Sequence, residues 1–386
     1  MAMETNNTPA LRFPGFAEEW EEKTLGEVFK TYSGGTPDTT KKKAYYGGTI
    51  PFIRSAEINK EETELFLTQE GLEKSSAKLV NKGDLLVALY GANSGDSAIA
   101  KINGAINQAV LCLQSENSNV FVQNFLQHNR ELITQKYLQG GQGNLSGEII
   151  KSIRVPFPSS KEQQKIAAFL VSLDALITEA VKRLEWLQQH KKGLLQQLFP
   201  CEGSNTPELR FAGFTGEWEE KTLGEVLSYI QPTPYIVEST VYDPAGTPVL
   251  TAGKTFVLGY TDEADGIFTN LPTIIFDDFT TESRYINFPF KVKSSAIKML
   301  TLKDDNNDLY FLYSLMSTID FTVGAHKRYW ISEFQNLIVS IPSLPEQQKI
   351  ASCLSSLDTL LEKQQERITL LKTHKKGLLQ QLFPHH

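Results

Sequence analysis

The sequence predicts a mixed α/β (α+β) protein: two globular domains joined by two long antiparallel coiled-coil helices, with an internal pseudo-two-fold. Three observations carry that prediction. A sequence block recurs near the start and the middle of the chain, a second block recurs near the middle and the end, and the second block carries an apolar stripe of period 3.5.

The first block occupies residues 9–29, PALRFPGFAEEWEEKTLGEVF, and returns at 207–227 as PELRFAGFTGEWEEKTLGEVL, an offset of 198 with 16 of 21 positions identical. The second occupies 162–200 and 346–384, an offset of 184 with 24 of 39 positions identical. Between the blocks lie two segments that do not resemble each other, about 30–160 and 228–344. The order is thus leading segment, variable domain and helix, each occurring twice. As boundaries we take a first domain at 1–160, a first helix at 161–200, a second domain at 201–344 and a second helix at 345–386.

The helical reading rests on spacing. Ile166, Leu170, Leu173, Ile177, Ala180, Leu184, Leu187, Leu194 and Leu198 follow a 4-3 pattern broken only by Lys191. The matching stripe runs from Ile350 to Leu382 with Gln364 inside it. Such a period, held over five heptads, is that of a coiled-coil seam. Ser160 and Pro345-Glu346 are start signals, and Pro200 and Pro384 are stops. At 1.5 Å per residue each helix is roughly 57 Å long. Gly193 and Gly377 interrupt it, either as a close helix crossing or as a break before GLLQQLF. The linker 201–206 is short, so the second domain sits where the first helix ends. The second helix then returns along the first, its only apolar partner, which places two different heads on one rod.

The composition is that of a globular chain, with 40% hydrophobic and 22% charged residues. The longest apolar run, Leu85 to Tyr90, is too short to span a bilayer, and the first residues lack a signal-peptide pattern; a cytoplasmic location is expected. Cys112, Cys201 and Cys353 are isolated and are read as reduced thiols. The net charge of −7 argues against strong binding of phosphates by this chain alone. Residues 30–160 carry a net +2 and residues 228–344 a net −5, so a nucleic-acid binder of this kind needs a partner's cations.

Catalytic motifs are not found. There is no Asn/Asp-Pro-Pro-aromatic loop for methyl transfer and no GxxxxGK[ST] phosphate loop. Gly141-Gln142-Gly143 lacks the third glycine of a dinucleotide site. Asp277, Asp278 and Glu282 are read as a hairpin rim, or as acceptors for base amino groups, rather than a nuclease metal site. His190 and His374 occupy equivalent repeat positions and are read as interface residues.

The order of motifs resembles that of the specificity subunits of type I restriction-modification systems. GGTPDTTKKKAYYGGTIPFIRSAEI at 34–58, the segments 85–110 and 139–158, and in the second half 247–268, 274–300 and HKRYW at 326–330 are similar to blocks of that family's recognition domains. The start EQQKIA, found at 162 and 346, is similar to its boundary between recognition domain and spacer helix. The resemblance implies a sequence-specific, non-catalytic subunit in which each variable domain reads one half of a bipartite duplex site and the helices set the spacer. It implies two methyltransferase subunits and further restriction subunits as partners. S-adenosylmethionine, and ATP with Mg for cleavage, belong to those subunits, and no cofactor is expected in this chain. Alternative readings are a bifunctional restriction and modification enzyme with an unrecognised site, and a two-headed protein scaffold.

For DNA contact in the first head, the candidates for phosphate are Lys41, Lys42 and Lys43. Those for base edges are Tyr45, Tyr46, Arg54, Ser55, Tyr90, Asn93, Ser94, Gln142 and Asn144. In the second head they are Lys254, Thr255, Thr280, Thr281, Ser283, Arg284, His326, Lys327, Arg328 and Tyr329. For the partner subunits the repeat itself supplies Trp20, Leu25, His190, Lys191 and Lys192, with Trp218, Leu223, His374, Lys375 and Lys376 as their counterparts.

Overall fold

The computed structural model describes residues 8–115, 118–138, 144–201, 203–251, 255–324 and 327–384. The chain divides into two compact units: Met1–Val181 with Arg367–His386, and Lys182–Glu366. Each unit therefore holds one variable segment and a part of both long helices.

In the first unit the leading segment forms a strand, Glu21–Thr24, that pairs antiparallel with Arg154–Phe157. A one-turn helix, Leu25–Val28, follows, and its start is a capping box in which the Thr24 N–H donates to Glu27 Oε2 at 2.6 Å. The second unit repeats this construction with Glu219–Thr222 against Ile338–Ile341, and the Thr222 N–H donates to Glu225 Oε2 at 2.5 Å. The recurrent KTLGEV is thus a folding signal, a strand ending in a capped turn.

The variable segments share no sequence pattern, yet each builds a four-stranded antiparallel sheet of the same order. In the first unit the order is Lys30–Ser33, Val110–Gln114, Leu85–Ala88, Ser97–Ile99. In the second it is Leu227–Ile230, Ile297–Leu302, Thr273–Asp277, Ser283–Ile286. Leu85–Ala88 and Thr273–Asp277 are buried along their whole length, as continuous apolar runs are when both faces of a sheet are covered. The remaining sheets differ: four strands around Tyr46–Ile53 in the first unit, three around Thr247–Leu250 in the second.

The two long helices run Ser160–Leu198 and Leu344–Leu382. Inside the first unit, Ile166 and Leu170 of one share a core with Leu382 and Phe383 of the other. In the second unit Leu198 and Phe199 join Ile350 and Leu354. Within each unit the helix segments are therefore antiparallel. The polar break in the stripe has a partner: Lys191 pairs with Asp358 at 2.5 Å in the second unit, and its counterpart Lys375 pairs with Asp174 at 2.6 Å in the first. A half-buried charge pair in an apolar seam selects one register and one direction. Among the described residues no helix is long and apolar enough to cross a membrane.

Both readings of Gly193 and Gly377 are corrected, since the helices run through them unbroken and a Cβ at either would meet nothing within 4 Å. Gly193→Ala and Gly377→Ala are each expected to stabilise the chain by about 1 kcal/mol through the lower backbone entropy of the unfolded state. Thermal unfolding checks this, and a lower Tm in either variant would contradict it.

The start of each long helix is tied to its head by the same three groups. Glu162, buried, accepts two hydrogen bonds from Arg12 at 2.7 and 2.9 Å, and Glu346 accepts two from Arg210 at 2.7 and 2.8 Å. Gln163 donates to the Pro158 carbonyl and accepts from the N–H of Ser118, the N-cap of Asn119–His128. Gln347 donates to the Pro342 carbonyl and accepts from the N–H of Asp308, the N-cap of Leu309–Met316. The recurrent EQQ is thus a junction holding together the leading segment, a helix of the variable segment and the long helix.

Candidate nucleic-acid interface

In the first unit the three lysines lie on an exposed ridge. Thr39–Lys41 is a turn of 3-10 helix capped by Asp38, and Lys42–Tyr45 continues it. Lys42, Tyr46 and Arg54 line one cavity of about 240 Å³. The turn Ser55–Glu57 lies against the turn Gly91–Asn93, next to Tyr90. The N–H of Leu145 donates to the Leu89 carbonyl at 2.9 Å, bringing exposed Asn144 to the same loops. Lys41–Lys43, Tyr46, Ser55, Tyr90, Asn93 and Asn144 therefore cluster. Gln142 lies outside the described residues.

Three expectations for this unit are corrected. Tyr45 is 6% exposed and packs inside, because Gly71 leaves room directly against its backbone. Ser94 is buried, and its hydroxyl donates to the Leu89 carbonyl. Arg54 is held by Glu57 through two hydrogen bonds and by Glu64 through a third, so its fork is committed within the chain.

In the second unit the candidates gather around one hairpin. Asp277 shapes its tip by accepting the N–H groups of Phe279 and Thr280. Thr281 sits at φ +61°, the one non-glycine residue with positive φ among the described residues. A β-branched residue there is strained, as loops at functional sites often are. Buried Asp278 accepts the N–H of Trp330 through Oδ1, and its backbone carbonyl accepts that of Tyr329. These carboxylates serve the loop. Thr280 and Arg284 are exposed, Thr281 and Ser283 half-buried, and exposed Thr255 adjoins Phe256, whose ring lies under Arg284. Lys327 and Arg328 are exposed beside the hairpin. Tyr329 is corrected: it is 2% exposed and its hydroxyl accepts the Gly324 N–H, so it anchors this loop from within. Lys254 and His326 lie outside the described residues.

The partner candidates divide. Trp20, Leu25, Trp218 and Leu223 are buried in the two main cores, and a partner surface there is corrected. Trp20 stands edge-on to Phe121, and Trp218 stands likewise to Phe311. Their recurrence reflects identical packing. Lys191 and Lys375 are engaged in the interhelix pairs described above. His190, Lys192, His374 and Lys376 are exposed, with His190 stacked flat on exposed Trp186. Sequence reasoning passed over exposed apolar positions on the long helices: Leu176 and Leu370 in the first unit, and their counterparts Leu360 and Trp186 in the second. Their departure from the seam was the available signal. Buried Cys112 has its thiol pushed up to about 12, chiefly by burial, so it is unreactive at neutral pH.

These features define a duplicated α+β protein whose scaffold recurs while its exposed loops differ. The family model described as "Type I restriction modification DNA specificity domain" matches residues 17–188 and again 215–372. The chain belongs to that family. It is 44% identical over 157 residues to the EcoR124I/EcoR124II specificity subunit of Escherichia coli, covering 39% of this chain and 38% of that subunit. It is 26% identical to the MjaIX specificity subunit of Methanocaldococcus jannaschii, covering 95% and 93%. The crystal structure of the S subunit from M. genitalium aligns with a TM-score of 0.68 over 98% of this chain and 100% of that one, at 18% identity, and shares its fold.

Proposed function

We propose that this chain is the DNA-recognition subunit of a type I restriction-modification complex, with each unit reading one half of a bipartite duplex site and the long helices setting the spacer. The observation that carries this reading is the family match over both halves of the chain, across two units whose scaffold is alike and whose exposed loops are not. Different loops on one scaffold suit different half-sites. The subunit is non-catalytic; methyl transfer from S-adenosylmethionine, and cleavage with ATP and Mg, belong to partner subunits.

Two copies of the methyltransferase subunit fit the duplicated surfaces, because one patch presented twice recruits one partner twice. Leu176, Leu360, Trp186 and Leu370, with His190, Lys192, His374 and Lys376, are the residues we assign to that contact. The net charge of −7 makes the partner the main source of phosphate contacts. Footprinting with and without the methyltransferase subunit tests the reading. Two protected patches that sharpen on adding the partner are expected, and native mass spectrometry should give a complex of two partner copies per chain. Nanomolar specific binding by the isolated chain at physiological salt, or a one-to-one complex with partner in excess, would contradict it.

A further inference from the structure

Residues 228–344 contain two arginines and six lysines against 13 acidic residues, so any cation left unpaired there is conspicuous. Of the seven cations that lie among the described residues, four are engaged. Lys291 pairs with Glu263 at 2.7 Å, Lys298 faces Asp278 at 3.7 Å, Lys327 pairs with Glu333, and Lys303 donates to the Gly224 carbonyl. Arg284, Arg328 and Lys293 make no ion pair among the described residues, and each stands over an aromatic ring. Arg284 lies 4.6 Å from the ring centre of Phe256, Lys293 5.5 Å from that of Tyr242, and Arg328 5.9 Å from that of Phe279.

The three are not equivalent. A guanidinium against a ring keeps its edge N–H groups free in one plane, which suits the O6 and N7 acceptors of guanine. Arg284 has the closest shelf, and that shelf is fixed: Phe256 is half-buried against the cluster of Leu250, Ile275 and Met299. Arg284 also stands on the strand that leaves the strained Thr281 turn, so its backbone is set by the sheet. Arg328 spends one donor on Ser295 at 3.1 Å, and Lys293 is a point charge without a fork. In the first unit the contrast is complete. The three arginines of residues 30–160 all face carboxylates: Arg54 those of Glu57 and Glu64, Arg130 that of Asp96, Arg154 that of Glu22.

We propose that Arg284, shelved on Phe256, reads a guanine in the half-site of the second unit, with Phe256 as its positioning residue and Lys293 on a phosphate. The inference rests on the DNA-recognition reading above. It makes the two half-sites chemically unlike, one read through an arginine fork and the other through lysine, amide and hydroxyl groups.

The test uses the chain assembled with its methyltransferase subunits. Methylome sequencing supplies the site, and binding is then measured on duplexes with each base pair of the second half-site changed in turn, over a range of salt. Arg284→Ala is expected to weaken binding to the cognate duplex roughly ten- to hundred-fold. It should erase discrimination at one G·C pair and leave the first half-site untouched. Phe256→Leu should weaken the same position by roughly two- to five-fold, with Phe256→Tyr restoring it. Lys293→Ala should weaken all duplexes alike and lower the salt slope by about one. Thermal unfolding of each variant establishes that it is folded. An Arg284→Ala complex that still discriminates every pair of the second half-site as the parent does overturns this proposal alone. A parent complex without sequence-selective binding overturns the recognition reading, and this inference with it.

Discussion

Replacing residues 30–153 with the corresponding segment of another recognition unit is expected to change one half of the methylated sequence completely and leave the other half as it was. The junctions follow from the structure. Glu21–Thr24 and Arg154–Phe157 form the two-stranded sheet that recurs in the second unit, and both long helices begin beyond it. A graft between these strands keeps the Arg12–Glu162 junction. It also keeps the aromatic core contributed by Trp20, Phe157 and Phe383, and loses Phe121, for which the incoming segment must supply an equivalent. The candidate contacts of the first unit all lie inside the replaced segment, and those of the second unit all lie outside it. Methylome sequencing of cells carrying the hybrid with its partner subunits reads the outcome directly. A hybrid that methylates a site altered in both halves would show that the two units do not read independently.

Arg210→Ala should destabilise the chain by on the order of 3 kcal/mol. The Glu346 side chain is 2% exposed and that of Arg210 19%. Removing the guanidinium leaves a buried carboxylate without its two strongest donors, and the desolvation that the pair had offset is then uncompensated. Arg210 also donates to the Gly216 and Thr215 carbonyls, so the leading segment loosens at the same time. Arg12→Ala should act equally on the first unit, where Glu162 is 1% exposed. Replacing both partners, Arg210→Met with Glu346→Leu, should recover most of the loss, because no buried charge is then stranded. Urea unfolding of the variants measures this. A change below about 0.5 kcal/mol in Arg210→Ala, the usual size for a surface ion pair, would place the pair in solvent rather than in the junction.

Much of the fold was legible because its signals are local and repeated. The stripe from Ile166 to Leu198 predicts a helix without reference to anything else, and Pro200 and Pro384 mark where it ends. Less of the interface was legible. Lys41, Tyr90, Asn144, Thr280 and Arg284 are exposed, as expected of contact residues. Tyr45, Ser94 and Tyr329 belong to the same loops by position yet turn inward. Loop residues one or two apart in sequence face opposite environments, and what decides between them is the course of the folded loop and the segments packed on it, which no periodic pattern reports. Gly71 lies against the Tyr45 backbone, the Ser94 hydroxyl donates to the Leu89 carbonyl, and the Gly324 N–H donates to the Tyr329 hydroxyl.

What the sequence by itself determined is the plan: two scaffolds, two unlike segments, two helices and their order, since a repeat is visible without knowing what any residue touches. Only the tertiary structure decided what the repeated residues are for. Trp20 and Trp218 recur because each fills a core, Lys191 and Lys375 because each meets an aspartate on the neighbouring helix, and Glu162 and Glu346 because each holds an arginine, 150 and 136 residues away. It also decided which cations remain free for a ligand, separating Arg284 on its phenylalanine from Arg54 between its glutamates. The physical reason is range. Helical periodicity and capping are set within a few residues, whereas burial and charge pairing are set by groups that only the closed chain brings within 3 to 5 Å.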